Sequence, residues 1–506
     1  NPEHLRWENL SHLDVLQMFG RAGRPQFDTN GEGIIITELR ELEYYVSVLS
    51  QQMPIESHFL RDVSSHLNAE ISLGSITSLN DAAEWIGYTY LFVRMLKSPA
   101  LYQVDIEHDD KTLHHRRLQI VHTAALYLDT KRMIRYNQET GELRPTELGR
   151  IAADFYISPD TMEKFAKFLR PNMTEPDIFR LFCSSSEFKN ITVRPEEKGE
   201  VSKLINMVPI PIKEPSDDPA AKINVLLQCY ICRLKLRGFS LMADMVYISQ
   251  NAERIMRCLY EIALTFGWAD VALNLLSYAK MVGSRMWAVQ SPLRQFKKVP
   301  EKLVAQLERI YLPWGKFFDL SPQKLGEMAK SPKDGEFLVE TIHKFPRLTI
   351  TGNKLPLTRN MIKFTLEIEL VDFVFDPEVH HEAEPFWVFV CDNDMEKILH
   401  SEMFLIKSRN PKTSLSFVVT LLQPMKPFYF VKVISDRWIP CEAQLVFPLL
   451  DIVTPDPGHQ KYQGARSRTK NQEQEDPFLP IVVTTRREPE QSILIAAPVN
   501  SGRSTC

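Results

Sequence analysis

The chain has 506 residues, with 60 lysines and arginines against 64 aspartates and glutamates and a net charge of −4. At 44% hydrophobic and 25% charged it can bury several cores, roughly three to five domains at about 100–200 residues each, which excludes general disorder. The slightly acidic balance excludes a histone-like, purely electrostatic nucleic-acid binder, though not a local basic channel.

Seven scattered cysteines, an odd number, point to reduced thiols in an intracellular compartment. The closest pair, Cys229 and Cys232, lies in an apolar helical run with no second pair to complete a zinc site, so core packing is the expectation and no metal is. No run of 18 apolar residues and no signal-peptide pattern is present, so no membrane partner is expected.

In chain order, the pattern predicts a helix over Leu5–Phe27 carrying Gln17-Met18-Phe19-Gly20-Arg21-Ala22-Gly23-Arg24, then a strand at Ile34–Thr37 and a short helix at Leu42–Leu49. Two arginines three residues apart would share a helical face. Forked, permanently charged donors suit a triphosphate whose γ-group is being transferred. The glycines allow close backbone approach. An exposed basic turn is the plainer alternative.

The strongly apolar run Leu79–Leu96 predicts one helix, and His115–Leu128 another with Leu118, Val121, Ala125 and Leu128 on one side. Met133–Tyr136, a turn at Gln138–Gly141 and Glu142–Arg144 predict a hairpin. Helices followed by a two-stranded wing suggest a winged helix, which either binds nucleic acid or, as its apolar content favours, buttresses a neighbour.

From Ser158 to about Pro292 the chain reads as a helical bundle, with caps at Ser158, Thr174 and Asp218 and an extended connector at Val208–Ile212. Within it, Asn251–Phe266 has an apolar stripe of Ile255, Leu259, Ile262 and Phe266, with Arg254 and Arg257 on another side. Those arginines either pair with Glu253 and Glu261 on a solvated face or reach a nucleic-acid backbone. Two short helices around Tyr311–Trp314 follow, with Gly326 placed for close approach to a neighbouring backbone. From Leu348 the period changes from 3.6 to 2, and about seven strands over roughly 100 residues suggest an immunoglobulin-like sandwich, its last strand anchored by Asp436-Arg437-Trp438. Beyond Leu450 a polar, proline-rich linker leads to Ala497–Ser504, a phosphate-loop-like string with Ala497 for the first glycine and Arg503 for the lysine.

The string Q-x-x-G-R-A-G-R-P resembles the last motif of superfamily-two helicases. The whole order resembles the double-cassette DExH RNA helicases of that superfamily, especially their spliceosomal branch. The residues that carry it include Arg116–Leu118 with Val121–Leu126, Ser186–Arg194, Val208–Glu214, Ala221–Gln228 and Met242–Tyr247. The implied fold class is multidomain α plus β. It divides into a partial RecA-like tail (1–63), winged helix (64–157), helical bundle with a ratchet helix (158–296), helix–loop–helix (297–343), immunoglobulin-like sandwich (344–450), linker (451–492) and the start of a degenerate second-cassette phosphate loop (493–506).

The resemblance further implies that Arg21 and Arg24 are catalytic arginine fingers, with Gln17, Gly20 and Gly23 binding the nucleotide. ATP and Mg2+ would be held mainly by domains outside this chain, so that the chain alone is inactive. Arg254 and Arg257 become RNA-binding residues. The expected setting is the nucleus. The expected partners are single-stranded and duplex small nuclear RNA, with U4/U6 as the unwound pair, other spliceosomal proteins and a second cassette of the same protein. The alternatives are a sister double-cassette helicase of the activating signal cointegrator complex, or a non-catalytic interaction module.

Overall fold

The computed structural model describes residues 10–23, 30–50, 54–104, 110, 112–310, 312–358, 360–407, 411–421 and 426–449. Arg24, the linker at 451–492 and the phosphate-loop-like string at 493–506 lie outside the described residues.

The first helix is shorter than its pattern suggests. It spans His12–Phe19, begins at Ser11, whose hydroxyl accepts from the Asp14 amide, and ends where the Gly20 amide donates to Leu16 O at 2.9 Å. Arg21 therefore sits in a turn beyond the helix and not on its face, which corrects the shared-helical-face expectation. Ile34–Thr37 forms no strand either, and Ile34 and Ile36 are exposed. A strand needs a ladder partner, and none of the described residues offers one there.

The apolar run from Leu79 forms two helices, Leu79–Gly87 and Tyr90–Lys97, instead of one. The break comes at Thr89, whose extended backbone (φ −93°, ψ 157°) starts the second helix while its hydroxyl bonds Ile86 O at 2.6 Å. These helices pack with Phe59–Leu73 and His114–Thr130 around Leu67, Ile86, Leu91 and Val121. The wing is the antiparallel pair β1 (Ile134–Tyr136) and β2 (Leu143–Pro145), with Arg135 opposite Arg144. Gly149 in the next helix, Glu147–Phe155, lets it press onto the wing: a Cβ there would fall 1.9 Å from Met133 O.

The bundle centres on a 27-residue helix, Phe239–Thr265, which runs antiparallel into Ala269–Ser284 and packs on Pro219–Ile231. It starts twelve residues before the periodic stripe expected from Asn251, because Phe239, Met242 and Val246 are apolar but exposed and blur the period. At about 1.5 Å per residue the helix is about 40 Å long.

In the next segment the two expected helices flank Tyr311–Trp314, as Glu301–Glu308 and Pro322–Met328, and a third, Gly335–His343, follows them. Gly326 does permit a close approach, since a Cβ there would lie 2.9 Å from Pro332 Cα. The strands that follow are β3 (Leu348–Thr358), β4 (Met361–Leu370), β5 (Ala383–Cys391), β6 (Ile398–Lys407), β7 (Lys412–Thr420), β8 (Phe428–Ser435) and β9 (Glu442–Pro448). They form two antiparallel sheets, β3-β4-β7 and β6-β5-β8-β9. Alternate residues such as Phe364, Phe386, Val388 and Val433 fill the space between them, and Phe364 meets Phe447 across it at 5.0 Å. The outer face of β5 and β8 is also covered: Phe389, Cys391 and Ile434 belong to the core of the bundle.

Candidate nucleic-acid interface

The long helix Phe239–Thr265 buries Leu241, Ile248, Ala252, Ile255, Leu259 and Ile262 on one side. The opposite stripe, at alternating spacings of four and three, carries Phe239, Ala243, Val246, Gln250 and Glu253 at the surface. Polar contacts hold this helix at three heights.

Near its start, Asp244 joins a buried ionic cluster. The Lys222 ammonium, fully buried, donates to Glu197 at 2.5 Å, to Asp244 at 2.6 Å and to Thr192 O at 2.8 Å. Ser240 and Arg194 also donate to Glu197. Burial would raise the Glu197 carboxyl, but donation by Lys222, Ser240 and Arg194 outweighs it and holds it at about 2. The cluster is invisible to spacing rules, yet a signal existed: one lysine inside the wholly buried run Ala221–Gln228 demands a buried anion.

At mid-height, Arg254 donates to the carbonyls of Phe155 (3.0 Å) and Tyr156, at the end of the helix Glu147–Phe155, and to Asn251 Oδ1 at 2.6 Å. One turn further on, Arg257 donates to the Asp436 carboxylate and, at 2.8 Å, to its carbonyl. Asp436 also accepts from Trp387 Nε1 at 2.9 Å, and Trp387 packs edge-on against Tyr260. Lys280 on the neighbouring helix donates to Ser435 O at 3.0 Å. Burial pulls its ammonium down to about 8. At the C-terminal end the Ile398 amide donates to Gly267 O at 2.8 Å.

The alternative of a solvated face is thus corrected for Arg254 and Arg257. Both are half-buried, and each bridges to a different neighbour of the helix. The Asp436–Trp438 corner serves as the expected anchor: Trp438 is buried, donates to Glu384 Oε2 at 3.0 Å and packs at a tilt against Phe296. Burial raises the Glu384 carboxyl to about 7 against the pull of Arg437 and the Trp438 hydrogen bond.

The other candidate group lies in the N-terminal turn. Gln17 and Arg21 are exposed there. Gly23 adopts φ +75°, and a Cβ on Gly31 would fall 2.5 Å from Ala22 C, so the glycines let two backbone segments touch. Arg21, Gln17, Gly20 and Gly23 are together in one short stretch, whereas Arg254 and Arg257 stand on the bundle. Cys229 is a packing residue, its thiol pushed up to about 12 by burial, and Cys232 accepts from Trp287 Nε1 at 3.0 Å. Among the described residues no helix is long and apolar enough to cross a membrane.

Residues 145–448 match the family model of the Sec63 Brl domain, and residues 56–130 match that of a winged helix-turn-helix domain. The chain is 43% identical over 532 aligned residues to the U5 small nuclear ribonucleoprotein 200 kDa helicase of Homo sapiens, covering all of the chain and 25% of that protein. It is 47% identical to the Drosophila melanogaster protein of the same name, over 90% of the chain and 21% of that protein. It is 45% identical to the pre-mRNA-splicing factor brr2 of Schizosaccharomyces pombe, again over 90% of the chain and 21% of that protein. The chain spans about a quarter of the length of these curated relatives.

Proposed function

The chain belongs to the Sec63 Brl domain family, and from that membership we propose that it is the C-terminal portion of the first motor cassette of an ATP-dependent, nuclear RNA helicase of the spliceosome that unwinds U4/U6 small nuclear RNA. The observation that carries this reading is 43% identity along the whole chain to a relative named as a U5 small nuclear ribonucleoprotein helicase. The winged helix-turn-helix match, directly before the Sec63 Brl segment, supports the same order of modules.

On this reading ATP and Mg2+ lie against the turn of Gly20–Gly23, with Arg21 and Arg24 reaching the transferring phosphoryl group and Gln17 touching the nucleotide. The exposure of Gln17 and Arg21 supports that role. The modules divide at the boundaries given above, and the two sheets form an immunoglobulin-like unit whose fourth strand, β6, joins the β5-β8-β9 sheet. The long helix tracks the single strand. Its exposed stripe, with Val246 and Gln250, meets the RNA, while Arg254 and Arg257 contact the strand only with donors left over from Phe155, Tyr156 and Asp436. Other spliceosomal proteins and a second cassette of the same protein are the partners. The test is RNA-stimulated ATP turnover and U4/U6 duplex unwinding by the full-length gene product, with Arg21→Ala as the comparison. Absence of both activities in the unaltered protein overturns the reading.

A further inference from the structure

Where the bundle meets the three-helix segment, a cavity of about 270 Å³ is lined by Arg233, Arg294, Lys297 and Glu301, with Phe296, Val299 and Val304 as apolar wall. Its size falls just under the roughly 300–1,000 Å³ of pockets for drug-sized ligands, and suits a small ion.

The charges around it do not balance. Arg294 is satisfied: it forks onto Glu308 with two bonds of 2.7 Å and stands 3.6 Å from Glu301. Arg233 is not. It donates only to two carbonyls, Arg285 O at 3.1 Å and Arg294 O at 3.3 Å, and meets no carboxylate among the described residues. Arg285 points to Tyr230, bonding its carbonyl at 2.9 Å and covering its ring at 4.8 Å. Lys297 is exposed at the rim with no ion-pair partner among the described residues. Three cations, Arg233, Arg294 and Lys297, thus line the cavity beside one carboxylate, Glu301, which stands 3.6 Å from Arg294. The stress is visible at Arg233, whose affinity for its proton is lowered by burial first and by Arg294 next, against the opposing pull of Glu301.

A half-buried guanidinium with spare donors, crowded by like charges and walled by apolar side chains, lacks an anion. We propose that this cavity binds a small phosphate-class anion, taken by the free donors of Arg233 and by Lys297. Such an ion would join the turn after Pro219–Ile231 to the stretch that leads into the helix Glu301–Glu308, stapling the bundle to the segment that carries the sandwich. The inference stands on the cavity alone and is independent of the helicase reading.

The experiment is thermal unfolding and calorimetric titration of the 506-residue chain with inorganic phosphate and with pyrophosphate, against sodium chloride at matched ionic strength. Wild type should show a saturable rise in Tm beyond that with chloride. Lys297→Gln, at an exposed position, should weaken binding by about tenfold, and Arg233→Gln should abolish it. Lys412→Gln, on β7, should match wild type. Should Arg233→Gln fail to fold, Lys297→Gln decides alone. No phosphate-specific shift in wild type, or equal affinity in wild type and Lys297→Gln, overturns the proposal. Displacement of pyrophosphate by single-stranded RNA in a Lys297-dependent manner also overturns it, by assigning the patch to RNA.

Discussion

The guanidinium of Arg257 is bound to both the carboxylate and the backbone carbonyl of Asp436, 179 residues away along the chain. Asp436 is in turn fixed by Trp387 Nε1, so a charge on the long helix is locked into the corner that precedes the last strand. The pair is partly shielded, with side chains 18% and 22% exposed. Arg257→Leu should cost about 1–3 kcal/mol in chemical denaturation, well above the about ±0.5 kcal/mol of an exposed helix position. Asp436→Asn added to Arg257→Leu should cost little more, because the two share one interaction.

The same variants address RNA. If Arg257 or Arg254 also touches a strand, Leu at either position lowers the salt slope of single-strand binding by about 0.7 per lost phosphate contact. If the two only brace the helix, affinity falls with the folded fraction and the slope stays at the wild-type value. A salt titration at a temperature where all variants remain folded separates the two outcomes.

Lys222 is the most exacting residue of the bundle. Removing its charge as Lys222→Met leaves Glu197 and Asp244 facing each other with Arg194 as their remaining cation. Breaking a buried pair from one side costs about 3–5 kcal/mol. Urea unfolding should show a loss of that order, and restoring neutrality with Glu197→Gln in the same chain should recover part of it.

Glu384 predicts an acid-side stability profile. Its folded-state value of about 7 exceeds the ordinary carboxylate value of 4.5, so between those limits the folded chain binds the extra proton. Its contribution is therefore fully present below about pH 4.5 and is lost as the pH rises through 7, by up to about 3 kcal/mol. Lys280 acts in a separate window: its lowered value of about 8 makes stability recover as the pH rises from 8 towards 10.5. Tm measured from pH 5 to 7.5 should decline less in Glu384→Gln than in wild type, and a parallel decline in both proteins contradicts this.

Much of the fold was legible because its periods are clean. Ile362 to Leu370 alternates with lysines, threonines and glutamates, and the strand Met361–Leu370 follows that alternation almost to the residue. The wing hairpin was legible from its Gly141 turn, and Gly326 from its place in a short helix. The long helix was found only in its second half, where its apolar face is buried; its first half exposes Phe239 and Val246, which periodicity assigns inward. The N-terminal turn was misjudged as helix because the Leu5–Phe27 pattern is amphipathic throughout, whereas Gly20 ends the helix before Arg21. The contacts of Arg254 and Arg257 could not be read at all. Their partners, Phe155, Tyr156 and Asp436, are distant in sequence, and an ion pair across 179 residues leaves no local trace.

The central claim is that Arg21 and Arg24 complete a nucleotide site in a larger RNA helicase. The most direct measurement is steady-state, RNA-stimulated ATP turnover by the full-length gene product carrying Arg21→Ala or Arg24→Ala, beside its RNA affinity without nucleotide and its Tm. The account predicts a loss of about 3–5 orders of magnitude in turnover with RNA affinity and Tm nearly unchanged, and no turnover by the 506-residue chain alone. Turnover that falls only in proportion to a lowered Tm, or RNA-stimulated hydrolysis by the isolated chain, would contradict it.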